Sequence, residues 1–135
     1  MASGIYDRFK ANLMNKLVDL EADAIRVALF NATHAFTSSN NVWADVSVNE
    51  ITGTGYTTKG ELIATPSVTQ GATTKFDGAD NSWTGASFTA NHAVIYDDTL
   101  VGDDLIASID FGGAQTVTAA TFTIQWNANG IITLT

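Results

Sequence analysis

Residues 121–126, Thr121-Phe122-Thr123-Ile124-Gln125-Trp126, alternate without a break between polar and apolar side chains. A period of two puts the aromatic and branched residues on one face of a strand and the Thr and Gln residues on the other. Leu105, Ala107, Ile109 and Phe111 alternate in the same way and predict a second strand. Ile25, Val27 and Leu29 begin a third, and Ala93-Val94-Ile95-Tyr96 is an unbroken apolar run suited to a central strand. Weaker strands are expected at 56–64, 67–76 and 86–91, bounded by Gly60, Gly71, Gly78 and Gly85. Asn129-Gly130 separates the 121–127 strand from Ile131–Thr135. That dipeptide supplies the positive φ angles of a type I′ turn, so the last two strands are expected to form a hairpin. Short, frequent strands with Thr-rich outer faces predict a mainly β fold, an antiparallel β-sandwich or jelly-roll-like domain.

The amino-terminal part follows a different period. Ile5, Phe9, Leu13, Leu17 and Leu20 recur at helical spacing and make one apolar stripe. Neither Pro nor an internal Gly interrupts residues 5–20, Ser3 can serve as N-cap, and Asp7 lies where the helix dipole favours an acid. The pattern predicts an N-terminal α-helix within residues 3–20. The chain then divides into an amphipathic helix with its lead-in at 1–23 and a single antiparallel β-domain at 24–135. The stripe either covers one face of the β-core or docks on a partner subunit, which nominates Ile5, Phe9, Leu13 and Leu17 as interface residues.

Charge divides the chain at the same place. The 135 residues carry 14 acids and 6 bases, a net charge of -8. Residues 1–26 are balanced, so the excess acid lies wholly in the remainder. Such a chain repels a phosphate backbone and an anionic bilayer, and no nucleic-acid or membrane partner is expected. No segment approaches the 18 or so apolar residues of a membrane span. Asp7, Arg8, Lys10 and Lys16 break any signal-peptide layout, so synthesis in the cytoplasm is expected. The chain has no Cys, which excludes disulfides, thiolate metal sites and Cys nucleophiles.

Little catalytic chemistry is nominated. His34 and His92 are the only His residues, and His92 reads as a strand-end imidazole with a backbone partner. No Gly-x-Ser-x-Gly context supports a Ser/His/Asp triad, and the Gly53-Thr54-Gly55 and Gly112-Gly113 steps lack the context of a phosphate cradle. Asp97-Asp98 and Asp103-Asp104 converge if 96–105 is a hairpin turn, but the spacing of an EF-hand is missing. They read as solvated turn acids. No catalytic residue, cofactor or metal ligand is therefore expected. Trp43, Tyr56 and Trp83 suggest either core or interface packing or a sugar-stacking platform.

Taken together, several blocks are distinctive. They are Trp43-Ala44-Asp45-Val46, Glu50-Ile51 and Gly53-Thr54-Gly55-Tyr56, then Asp77 and Trp83, Ala93–Tyr96, Ile109–Gly113, Phe122–Asn127 and Gly130-Ile131. In this order they resemble a family of small virion structural proteins of tailed bacteriophages, described as head decoration, cement or head-fibre-like components. The resemblance implies a non-enzymatic capsid decoration protein on the virion surface, bound to the major capsid protein lattice and self-associated as a homotrimer. Trp43 and Tyr56, from the packing reading of the aromatics, complete the candidate interface residues. The competing expectations are a tail or fibre module that binds a host surface glycan, and a small hydrolase, for which no nucleophile–base pair can be named.

Overall fold

The computed structural model describes residues 3–135. The elements run β1 (Gly4–Ile5), α1 (Asp7–Met14), β2 (Ile25–Phe30), 3-10 turns at Trp43–Asp45 and Ser47–Asn49, β3 (Glu61–Leu62), β4 (Ser67–Thr69), β5 (Thr74–Asp77), β6 (Asn81–Asp97), β7 (Asp104–Ile124) and β8 (Ile132–Leu134). The strands form two antiparallel sheets in the orders β1-β7-β6-β2-β3 and β4-β5-β8. The mainly β class, with antiparallel sheets and one N-terminal helix, is the one the sequence predicts, and the arrangement is sandwich-like. Among the described residues no helix is long and apolar enough to cross a membrane.

The centre of the larger sheet is buried on both faces. Ile25, Val27 and Leu29 of β2 join Ala93 and Ile95 of β6 in one core, with Phe76, Trp83 and Phe88. The alternate residues Ala28, Phe30, Val94, Tyr96 and Leu105 make a second core with Tyr6 and Val46. Period-two alternation between two apolar layers is why 93–96 carries no polar residue.

The helix is shorter than the stripe. Gly4 and Ile5 pair with Ser108 and Ala107 of β7, so Ile5 is a strand residue. A Cβ at Gly4 would lie 2.4 Å from the Phe36 ring, and the lack of one permits this approach. Helix α1 starts after Tyr6 without a side-chain cap, whereas the Ser3 hydroxyl accepts the Asp110 N–H at 2.9 Å. It stops at Asn15 because Lys16 turns left-handed (φ 60°). Leu17 N–H then reaches Asn12 O at 2.9 Å and Lys16 N–H reaches Leu13 O at 3.2 Å. This pair of bonds is a Schellman closure with Lys where Gly is usual. It releases Val18 and Leu20 to pack against the core.

Two further expectations are corrected. A turn forms at this point, but over Asn127–Gly130 with Ala128 and Asn129 at its centre, Gly130 N–H donating to Asn127 O at 2.9 Å; of the Asn129-Gly130 pair only Gly130 has a positive φ (108°), so it is not the type I′ turn expected. It does not close a hairpin onto the preceding strand, however: β8 pairs with β5, Ile132 opposite Phe76. That choice buries Ile132 and Phe76 in the main core. The strands expected at 86–91 and 93–96 are continuous in β6, and those at 105–111 and 121–127 are largely continuous in β7, 21 residues long. Between the pairs His92–Asp110 and Ala90–Gln115 the register slips, and β7 accommodates Phe111–Ala114 as a wide bulge. Gly112 (φ 79°) and Gly113 (φ 150°) carry the bend. Beyond it, the outer half of the β6/β7 hairpin supplies Trp83, Ala86, Phe88, Ala90 and Val117 to the main core.

Candidate functional site

Three groups of side chains have the chemistry to act on something. The first surrounds Ser108 on β7. His34 Nε2 lies 3.0 Å from Ser108 Oγ, and the His34 and His92 rings meet edge to face at 5.2 Å. His92 Nδ1 faces the Asn31 carbonyl at 3.0 Å, the backbone partner expected for it. A carbonyl only accepts, so Nδ1 carries the proton. His92 Nε2 is then turned toward Asp110 Oδ1, 3.7 Å away. Burial, together with the neighbouring His92, pushes the His34 pKa down to about 4. A hydroxyl, an imidazole pair and a carboxylate are thus in line. His34, His92 and Ser108 are 1%, 4% and 2% exposed, so no substrate reaches the hydroxyl. The line is a polar spine of the core.

The second group joins two of the nominated residues. Glu50 Oε1 accepts the Tyr56 hydroxyl at 2.7 Å and the Lys59 N–H at 2.5 Å. The Tyr56 oxygen in turn accepts Leu29 N–H at 3.0 Å. The Lys59 ammonium contacts Asp103 and lies over the Trp43 and Tyr96 rings, 5.7 and 6.0 Å from their centroids. Burial raises the Glu50 carboxyl pKa and holds the Tyr56 hydroxyl well above its ordinary range. Every polar partner in this network is satisfied from within the chain. It fastens the 43–60 segment onto β2 and β6.

Trp43, Tyr56 and Trp83 do not form a common face. Trp43 packs on Phe30 and Tyr96 in one core, Tyr56 packs on Trp83 in the other, and Trp83 is 1% exposed. With Trp83 buried and the half-buried Trp43 and Tyr56 on different cores, the three rings make no common stacking platform for a sugar. The acidic turn does come together as expected, since Asp97 pairs with Asp104 across the hairpin. Asp104 is occupied by Arg8 and Asn12, and no group of three potential metal ligands occurs among the described residues.

The third feature is open surface. One groove of about 570 Å³ lies between the end of α1 and the smaller sheet, lined by Phe9, Leu13, Leu17, Phe76 and Ile132 and rimmed by Lys16, Asp19 and Lys75. Of the stripe residues, Ile5 is half-buried in β1, Phe9 belongs to the core, Leu13 packs partly on it, and Leu17 stands 54% exposed. A second groove of about 470 Å³ follows the outer half of β7, lined by Ile109, Phe111, Phe122, Ile124 and Trp126 with Gln115 and Gln125. Neither groove is lined by His34, His92 or Ser108. The β7 groove was not nominated by pattern, because its residues read as one core-facing row. A readable signal was present: residues 111–135 contain no charged side chain in a chain of net charge -8.

Comparison with family models, curated proteins and solved structures found no match.

Proposed function

We propose that this chain is a non-enzymatic structural component of a tailed-bacteriophage virion, a decoration or cement protein that binds the assembled head, self-associates and stabilises the shell. The observation that carries the reading is where polar chemistry and apolar surface lie. The Ser108–His34 pair is sealed in the core, while the two open grooves are lined largely by apolar side chains. A nucleophile must be open to its substrate, and exposed apolar grooves with no reactive group in them mark surfaces that bind rather than react. The resemblance carried by the 43–56, 93–96, 109–113 and 122–131 blocks supplies the context, with the major capsid protein lattice as partner and a trimer as the assembly. Ligands that bind only the assembled lattice stabilise it by mass action, and many copies sum individually modest contacts. The glycan-binding tail module is less well supported, because Trp83 is sealed in the core and half-buried Trp43 packs against Phe30 and Tyr96, on a different core from Tyr56.

The test is to assemble particles with and without the chain and to follow DNA release on heating. The decoration reading expects earlier release from particles lacking it and unchanged attachment to host cells. Equal release with impaired attachment overturns it in favour of the tail module.

A further inference from the structure

The larger sheet has an unfinished edge. On one side β7 is paired with β6 along its length. On the other, β1 covers only Ala107 and Ser108, and Ser3 takes the Asp110 N–H. From Gly113 to Ile124 no strand among the described residues pairs with β7 on this side. An uncovered edge presents a row of backbone donors and acceptors, and soluble proteins blunt it with Lys, Pro, inward charges or bulges. Here Lys, Pro and every other charged residue are missing from 111–135. Within this stretch the register slips twice: at Thr118–Ala119, where Ala119 turns left-handed (φ 46°) and gives its N–H to Ser87 Oγ at 2.9 Å, and opposite Thr121, where β6 carries the extra residue between Trp83 and Ala86. That leaves Ala120–Ile124 as a continuous extended run. Beside this run lies the second groove, where Phe111 and Phe122 meet at 6.2 Å and both rings, like Trp126, are only half-buried. The main core is therefore open along the same line as the backbone.

We propose that this edge is where a second copy of the chain docks, its strand extending the sheet and its apolar side chains closing the groove over Phe111, Phe122 and Trp126. The inference rests on the self-association included in the proposed function and names the surface that carries it. Charge selects the occupant. Two copies that each carry a net charge of -8 repel wherever their acidic surfaces meet. The stretch 111–135 carries no charged side chain, so two copies approach there against the least like charge, the acids beside it being Asp80, which accepts the Trp126 N–H, and Asp110. The chain also brings what the edge lacks, since a bare strand on one copy pairs with a bare strand on the next. A self-complementary pairing closes at two copies and a head-to-tail one at three.

Sedimentation and native mass spectrometry at micromolar concentration read the assembly directly. Exposed Thr121 and Gln125 flank the groove, and the double variant Thr121→Glu with Gln125→Glu sets acids against acids at the contact. The wild-type chain is expected as a dimer or trimer, and the variant is expected to associate about tenfold or more weakly, with partial recovery in high salt. Hydrogen exchange adds a backbone readout: those Ala120–Ile124 amides that point away from β6 should be slow in the assembly and fast in the variant. Thermal unfolding of both chains, diluted to the monomer, should agree, which separates lost association from lost folding. A wild-type chain that stays monomeric, or a variant that assembles as well as wild type, overturns the proposal. If a monomeric chain still protects particles from DNA release, this edge is refuted while the decoration reading stands. If the chain assembles through the edge but particles gain nothing, the reverse holds.

Discussion

His34 Nε2 and Ser108 Oγ lie 3.0 Å apart although 74 positions separate them in the chain. The contact ties the loop after β2 to the first part of β7 and keeps a neutral imidazole inside the core. His34 also stacks on Phe30 at 4.9 Å, so both its polar edge and its face are engaged. A charged imidazole there would lose its solvation with no acid in contact to compensate.

The pH dependence of stability follows from two buried groups with opposite slopes. The folded His34 has its pKa lowered from 6.5 to about 4, so the unfolded chain binds the proton more readily. Stability from this residue is complete above pH 6.5 and is lost as pH falls toward 4, by about 3 kcal/mol in all. Asp97 is raised well above the ordinary carboxylate range, by burial first and then by the facing Asp23 carboxylate. Its folded form holds the proton better, so stability declines as pH rises through the carboxylate range toward neutrality. The wild-type chain should then be nearly flat between pH 6 and 4. In urea titrations, His34→Gln should become more stable toward acid and Asp97→Asn less stable toward acid. Parallel curves for all three chains would refute the assignment.

Helix α1 is held by one carboxylate. Asp104 Oδ2 accepts Arg8 Nε and Asn12 Nδ2, each at 2.8 Å, and Asp104 is 5% exposed. Asp104→Ala leaves a buried amide without its acceptor and should cost about 3 kcal/mol, with faster amide exchange in α1. Arg8→Ala should cost under about 1 kcal/mol, because the Arg8 side chain is 44% exposed and water takes over its role.

Gly60 and Gly85 separate space from backbone conformation. Both have positive φ, 75° and 56°. A Cβ at Gly60 would lie 2.0 Å from the Val27 carbonyl oxygen, whereas one at Gly85 meets nothing within 4 Å. Gly85→Ala should cost about 1 kcal/mol from the backbone alone. Gly60→Ala must also displace β2 and should cost about 3 kcal/mol or more, read as a lower urea midpoint at unchanged slope.

What the sequence made legible was local. Period-two alternation located β2, the 93–96 centre of β6 and both halves of β7, because a side chain's face depends only on its neighbours in the strand. A turn before Ile131 was legible too, but neither its type nor its partner was: it is centred on Ala128-Asn129, and whether β8 joins β7 or β5 depends on which pairing buries Ile132 against Phe76. Helix length was misread because Leu17 and Leu20 keep helical spacing, while a left-handed Lys16, for which no Gly signalled, ends the helix. The Ser108–His34 pair was invisible, since nothing local links positions so far apart. The open β7 edge left one trace in the sequence, the lack of charge after Asp110.

The bend at Gly112-Gly113 sets that edge at its angle to the rest of the sheet, and its removal should separate association from folding. Their φ angles, 79° and 150°, are ones that side chains with a Cβ adopt at a cost, yet a Cβ at either meets nothing within 4 Å. Gly112→Ala with Gly113→Ala should therefore lower stability by only about 2 kcal/mol, through backbone strain. The strain is relieved when the wide bulge straightens, which moves Phe111 relative to Phe122 and turns the Ala120–Ile124 run away from its present direction. A rigid strand-to-strand contact tolerates little such displacement, so association should fall further than stability does. Sedimentation of the double variant beside its urea titration gives both quantities from one preparation. A variant that loses stability but keeps wild-type association would show that the bend shapes the monomer and does not aim its edge.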